Sequence, residues 1–102
     1  MTANQRTKIY ISGKITGDPN YKEKFLGATK RVLEDYPGCG VINPAELPDL
    51  GSWEKCMRND ITYLVQCDFI YMLTDWNDSK GAVLEHFIAH QLGIEIIYEV
   101  KP

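Results

Sequence analysis

Apolar residues along this chain recur in two alternating rhythms. Lys8-Ile9-Tyr10-Ile11-Ser12 is a short run rich in strand formers, cut off by Gly13, and the polar stretch from Lys14 to Asn20 reads as a loop. From Tyr21 to Asp35, Phe25, Ala28, Val32 and Leu33 recur at helical spacing until Pro37 and Gly38 stop the pattern. Residues 39–43 form a second short strand, and residues 44–51, rich in Pro and Gly, are too irregular for either rhythm. Ser52 is placed to cap a helix running to about Gln66, with Trp53, Met57, Ile61, Leu64 and Val65 repeating every three or four positions. Phe69-Ile70-Tyr71-Met72-Leu73 is almost wholly apolar, as a mid-sheet strand buried on both faces should be. The loop Thr74 to Ser79 leads into a helix from about Lys80 to Leu92, ended by Gly93, and residues 94–98 supply a last strand.

Strand and helix therefore alternate, which predicts a parallel α/β sheet with right-handed crossovers and helices on both faces. In such sheets ligands bind beyond the carboxyl ends of the strands, where the strand order reverses. The loops 13–20, 43–51 and 74–79 all leave strand carboxyl ends, so function is expected on that rim.

Composition narrows the classes. The 102 residues suffice for one compact domain, with 44% hydrophobic and 25% charged positions, values of an ordinary globular protein. A formal charge of −3 argues against a protein that coats a nucleic acid polymer. Cys39, Cys56 and Cys67 are odd in number, lack C-x-x-C spacing and sit among apolar residues, so they are expected to be reduced. No apolar run approaches the roughly 20 residues that span a bilayer, and residues 1–8 are polar, without the centre of a signal peptide. A cytoplasmic protein with no membrane partner is expected.

Among rim residues, Glu85 stands out. Its helix neighbours Ala82, Val83, Leu84, Phe87 and Ile88 are apolar, and burying an unpaired carboxylate is costly, so Glu85 is paired, reaches the rim, or works chemically. Ser79 and Gly81 open the same helix, whose unpaired amides suit a phosphate or a developing anion, although Ser there is more often a cap. Asp60 interrupts the apolar stripe of the second helix, and a plain surface role competes with a role in a pocket. Tyr10 could be core or could flank a flat base. Ser12-Gly13-Lys14 resembles part of a phosphate loop, but the full G-x-x-x-x-G-K-[ST] pattern is absent and a nucleoside triphosphatase is rejected. His86 and His90 share a helix face without H-E-x-x-H or a third ligand, so no metal is expected. Trp53 and Trp76 read as packing residues.

Three elements together resemble the nucleoside 2-deoxyribosyltransferase superfamily, especially its small phage-associated members of undefined function. They are Lys8-Ile9-Tyr10-Ile11-Ser12-Gly13, then Asp60 followed by Cys67-Asp68-Phe69-Ile70, then Ser79-x-Gly81-x-x-x-Glu85 with Ala89 and Gly93 behind it. The resemblance implies a three-layer flavodoxin-like or Rossmann-like doubly wound parallel sheet of about four or five strands. It implies that Glu85 is the nucleophile, that Asp60 handles the proton of the leaving base, and that Tyr10 and Gly13 border sugar and base. Ser79, where nucleoside transferases tend to have Asp, implies kinship with hydrolases of deoxynucleoside 5′-monophosphates, with Lys14, Ser12 and Ser79 holding the phosphate. Asp75 and Gly81 complete the substrate-binding set. The chain ends at Pro102, directly after the last strand, so the C-terminal segment by which some relatives complete a neighbour's site is expected to be short or missing.

The expected chemistry is glycosidic bond cleavage or base transfer on a small nucleoside or nucleotide, without metal or redox cofactor, in a homo-oligomer. In that scheme Glu85 stays ionised while Asp60 has a raised pKa. The alternatives are a module that binds a nucleotide without cleaving it and, last, a protein whose pocket is vestigial.

Overall fold

A computed structural model describes residues 6–100. The polar start at residues 1–5 and the chain end at Pro102 lie outside the described residues. Four strands, β1 (Lys8–Ser12), β2 (Gly40–Ile42), β3 (Phe69–Met72) and β4 (Glu95–Tyr98), alternate with α1 (Tyr21–Asp35), α2 (Trp53–Leu64) and α3 (Lys80–Gln91). All pairings are parallel, in the order β2-β1-β3-β4. The chain moves from β1 to β2 on one side and returns to β3 on the other, so the strand order reverses between β1 and β3. That pair is the switch point at which α/β sheets bind ligands.

Side-chain alternation on β1 and β3 builds two cores. Ile9 and Ile11 of β1 and Tyr71 of β3 pack with Phe25, Ala28 and Val32 of α1. Tyr10 of β1 and Ile70 and Met72 of β3 face the other way, toward Leu64 of α2 and Ala82 and Ala89 of α3. The three-layer α/β arrangement expected from the alternation of elements is thus the observed one. Asp68 fixes the register of the central pair: its backbone N–H donates to Lys8 O and its carboxylate accepts from Lys8 N, both at 2.9 Å.

Several boundaries shift for local reasons. Strand two is three residues long, and α2 stops at Leu64, because Val65 is 46% exposed and Gln66 N donates to Tyr63 O in a tighter turn. Leu33, expected on the buried stripe of α1, is 45% exposed. Single 3₁₀ turns occupy Pro44–Glu46 and Trp76–Asp78 within the two loops expected to be irregular. Helix α3 ends as anticipated at Gly93, whose φ of 73° opens the left-handed region, while Ile94 N reaches back to Ala89 O at 2.9 Å. Among the described residues, no helix is long and apolar enough to cross a membrane.

Gly13 sits where β1 leaves the sheet beside the end of β3. A Cβ there would lie 2.7 Å from Leu73 Cδ1 and 2.9 Å from Leu73 Cβ, too close for either chain to yield cheaply. Gly13→Ala is expected to lower stability by about 1–3 kcal/mol, read as a fall in the urea midpoint at unchanged m-value; a wild-type midpoint would refute the contact.

Candidate active site

A cavity of about 640 Å³ opens at the carboxyl edge of the sheet, within the size range of small-molecule sites. All three rim loops contribute to its wall: Gly13 and Thr16 from the first, Pro44, Leu47, Asp49 and Gly51 among others from the second, Asp78 and Ser79 from the third. Glu85 and Asp60 both line it.

Glu85 stands one and a half turns into α3 on the stripe shared by Gly81, Ala82 and Ala89, and it is 4% exposed. Its neighbours Val83 and Phe87, far more apolar, are the exposed ones. Two hydroxyls explain the inversion. Tyr10 Oη donates to Glu85 Oε2 at 2.6 Å and Ser12 Oγ donates to Glu85 Oε1 at 2.7 Å. Tyr10 and Ser12 are two residues apart on β1, so both side chains leave the same face of the sheet, directly under α3. Among the described residues no buried side-chain polar atom lacks a partner.

Electrostatics follow from this burial. Desolvation pushes Glu85 up from 4.5 to about 7; the Tyr10 and Ser12 hydrogen bonds pull it down in part, and the charge of Asp60 adds to the rise. Burial alone raises Asp60 from 3.8 to about 6. Tyr10 is held well above its usual phenolic range, first by burial and then by the Glu85 charge. Asp60 therefore has the raised pKa anticipated for it, but Glu85 does not stay at an ordinary carboxylate value, because the site that holds it excludes water.

The other candidates divide. Gly13, Ser79 and Gly81 line the cavity with Glu85 and Asp60. Ser79 is the cap of α3, its Oγ accepting from Ala82 N at 3.1 Å. Ser12 and Tyr10 are wholly buried behind Glu85, so they grip the carboxylate instead of bordering the cavity. Lys14 and Asp75 are outside the wall. Asp75 Oδ1 accepts from Lys14 N at 3.1 Å, while Lys24 Nζ donates to Asp75, Asp18 and the carbonyl of Lys14, pinning the first and third rim loops to α1. A lysine of α1 four residues into an amphipathic helix carries no mark of this role in the sequence.

Residues on the wall that sequence reasoning left aside include Met57, Asp49, Cys56 and Lys80, whose ammonium lies 4.0 Å from the centre of the Trp53 ring. The signal of Asp49 and Lys80 was position alone, in or beside the rim loops, while Cys56 and Met57 lie in the first turns of α2 and read as apolar helix positions. Trp53 thus lines the cavity, whereas Trp76 packs, stacking on His86 with ring centres 4.2 Å apart. His86 Nε2 lies 2.8 Å from Tyr98 Oη. All three cysteines are free, Cys39 and Cys67 buried and Cys56 half-buried. Among the described residues no group of three potential ligands is arranged for a metal.

Residues 7–98 match the family model described as a domain of unknown function, DUF4406. The chain belongs to that family. No curated protein matches the sequence. Solved structures do: a 2-deoxyribosyltransferase of Bacillus psychrosaccharolyticus is 20% identical with a TM-score of 0.65, over 94% of this chain and 77% of the other. A 2-deoxyribosyltransferase of Leishmania mexicana is 17% identical with a TM-score of 0.70, over 94% of this chain and 67% of the other. A conserved protein of Enterococcus faecalis V583 is 19% identical with a TM-score of 0.67, over 92% of this chain and 63% of the other. This member of DUF4406 accordingly has the nucleoside 2-deoxyribosyltransferase-like fold, and it spans about two thirds to three quarters of the structures it resembles.

The folded chain keeps the Glu85 proton up to about pH 7, whereas an unfolded chain releases it near 4.5. Stability therefore falls as pH rises through that window, and the cost is complete above it. Glu85→Gln removes the ionisation, so its stability relative to wild type should grow by about 2–3 kcal/mol between pH 5 and pH 8. Urea titrations at both pH values check this; a difference that does not change with pH would contradict a buried, proton-retaining Glu85.

Proposed function

We propose that the cavity takes a 2-deoxynucleoside or its 5′-monophosphate and that Glu85 cleaves the N-glycosidic bond, passing the sugar to water or to a second base. One observation carries the reading: a buried carboxylate, both oxygens gripped by hydroxyls, sits on the wall of a small-molecule cavity with a second acid close enough to raise its pKa. The resemblance of the fold to proteins named as 2-deoxyribosyltransferases supports it.

In the proposed first step a Glu85 oxygen attacks the anomeric carbon. The bond from that carbon to the base nitrogen breaks, its electron pair leaves with the base, and Asp60 delivers the proton. In the second step Asp60 takes a proton from water, whose oxygen attacks the same carbon and expels the Glu85 carboxylate; a second base replaces water in transfer. This is the two-carboxylate logic of retaining glycosidases. Tyr10 and Ser12 aim the nucleophile and, by hydrogen bonding to its charged form, keep its pKa from rising further. The working proton arrangement, Glu85 ionised and Asp60 protonated, is one form of a coupled pair that shares a proton mainly between pH 6 and 7.

A second reading, a module that binds a nucleotide without turnover, is favoured by the retention of the Glu85 proton up to about pH 7. The proposal includes one folding unit over the whole chain and self-association through the exposed apolar residues Val83 and Phe87 of α3.

Incubation with a panel of deoxynucleosides and their monophosphates should release free base, resolved by chromatography, with a bell-shaped pH dependence centred between pH 6 and 7. Glu85→Ala should abolish release while leaving the circular dichroism spectrum intact. Tyr10→Phe should slow release about tenfold or more and move the basic limb, which the higher pKa of Glu85 sets, to higher pH. Release undiminished in Glu85→Ala would sink the nucleophile assignment; binding without release from wild type would establish the second reading.

A further inference from the structure

The charges around the cavity separate the two substrate classes. Three groups in the sequence looked suited to a phosphate, and the fold withdraws two of them. Ser12 is fully buried and gives its proton to Glu85. Lys14 is off the cavity wall, its backbone bound into the network of Lys24 and Asp75. Only Ser79 remains on the wall, and its oxygen already accepts the Ala82 amide.

The wall itself carries four carboxylates, Asp49, Asp60, Asp78 and Glu85, against one ammonium, Lys80. Among the described residues none of the four is in an ion pair. Asp78 immediately precedes the cap of α3, so the start of that helix, which lines the cavity together with the starts of α1 at Tyr21 and α2 at Ser52 and Trp53, has a carboxylate beside its positive end. The Lys80 ammonium is drawn over the Trp53 ring. A cleft lined by one sign of charge focuses its field on whatever enters. A 5′-phosphate monoester carries close to two negative charges at neutral pH, about −1.5 to −2, and meets repulsion there. An unphosphorylated nucleoside brings hydroxyl and amino donors, which carboxylates accept.

We infer that this cavity selects the uncharged 2-deoxynucleoside over its 5′-monophosphate, through the excess of carboxylates on its wall and the removal of Lys14 and Ser12 from it. The inference rests on the proposed reading of the cavity as a nucleoside site and decides between the substrate classes which that reading leaves open.

The test is equilibrium binding by calorimetry, at pH 7.5, of the four common deoxynucleosides and their four 5′-monophosphates to the wild-type chain. The tightest nucleoside should bind at least about tenfold more strongly than its monophosphate in low salt. The gap should shrink as sodium chloride is raised from about 20 to 200 mM, since screening relieves repulsion. Asp49→Asn combined with Asp78→Asn should narrow it several-fold. A monophosphate that binds as tightly as its nucleoside, or more tightly, overturns the inference while the nucleoside-site reading stands. A gap unmoved by both salt and the double substitution overturns the electrostatic cause. Binding of neither class overturns the inference together with the reading it rests on.

Discussion

The hydrogen bonds from Tyr10 and Ser12 to Glu85 tie the site to the sheet. They cross from the central strand β1 to helix α3 at 2.6 and 2.7 Å and join residues more than seventy positions apart in the chain. A buried carboxylate without them would meet the full penalty of desolvation. With them, the residual strain appears as a pKa raised to about 7, a destabilising group retained at the carboxyl edge of the switch-point strands. Carboxylates whose environment works against stability are a physical mark of sites selected for chemistry.

The strand order makes this meeting possible. Because β1 lies between β2 and β3, its two faces serve different layers: Ile9 and Ile11 anchor α1, while Tyr10 and Ser12 look toward α2 and α3. A one-residue slip of β1 would exchange those faces and place two hydroxyls in the α1 core. Asp68 guards against that slip by fixing β1 against β3 through two hydrogen bonds to Lys8. On the opposite face, Lys24 gathers Asp18, Asp75 and Lys14, so the rim loops that shape the cavity are pinned from α1. Each layer of the fold thus contributes to the position of one carboxylate and the width of one opening.

This division changes what neighbouring residues mean. Asp75 is charged, lies in a rim loop and is adjacent to residues of the wall, yet its carboxylate accepts from the backbone N–H of Lys14 and from the Lys24 ammonium, while Lys14 enters the same network through its backbone. Asp49, Asp78 and Lys80, inconspicuous in the sequence, set the charge a ligand would meet. Charge on a rim loop is therefore ambiguous until its partners are known: the same Asp can pin a loop or face a ligand.

The amino-acid sequence by itself determined the order of strands and helices, their parallel arrangement, the caps at Ser52 and Ser79 and the stop at Gly93, because hydrophobic period and cap chemistry are local properties. It also marked Glu85, as a carboxylate among apolar neighbours on one helix. It left the covered side of α3 less certain, since α3 is apolar nearly all round and a period cannot say which stripe is covered; Leu33, near the end of α1, and Val65, past the end of α2, also face outward. Only the tertiary structure decided that Tyr10 and Ser12 hold Glu85, that Lys14 and Asp75 bind Lys24, and that four carboxylates share one cavity. Those facts depend on which loops meet across the sheet, and contacts between residues far apart in sequence are set by packing of the whole chain.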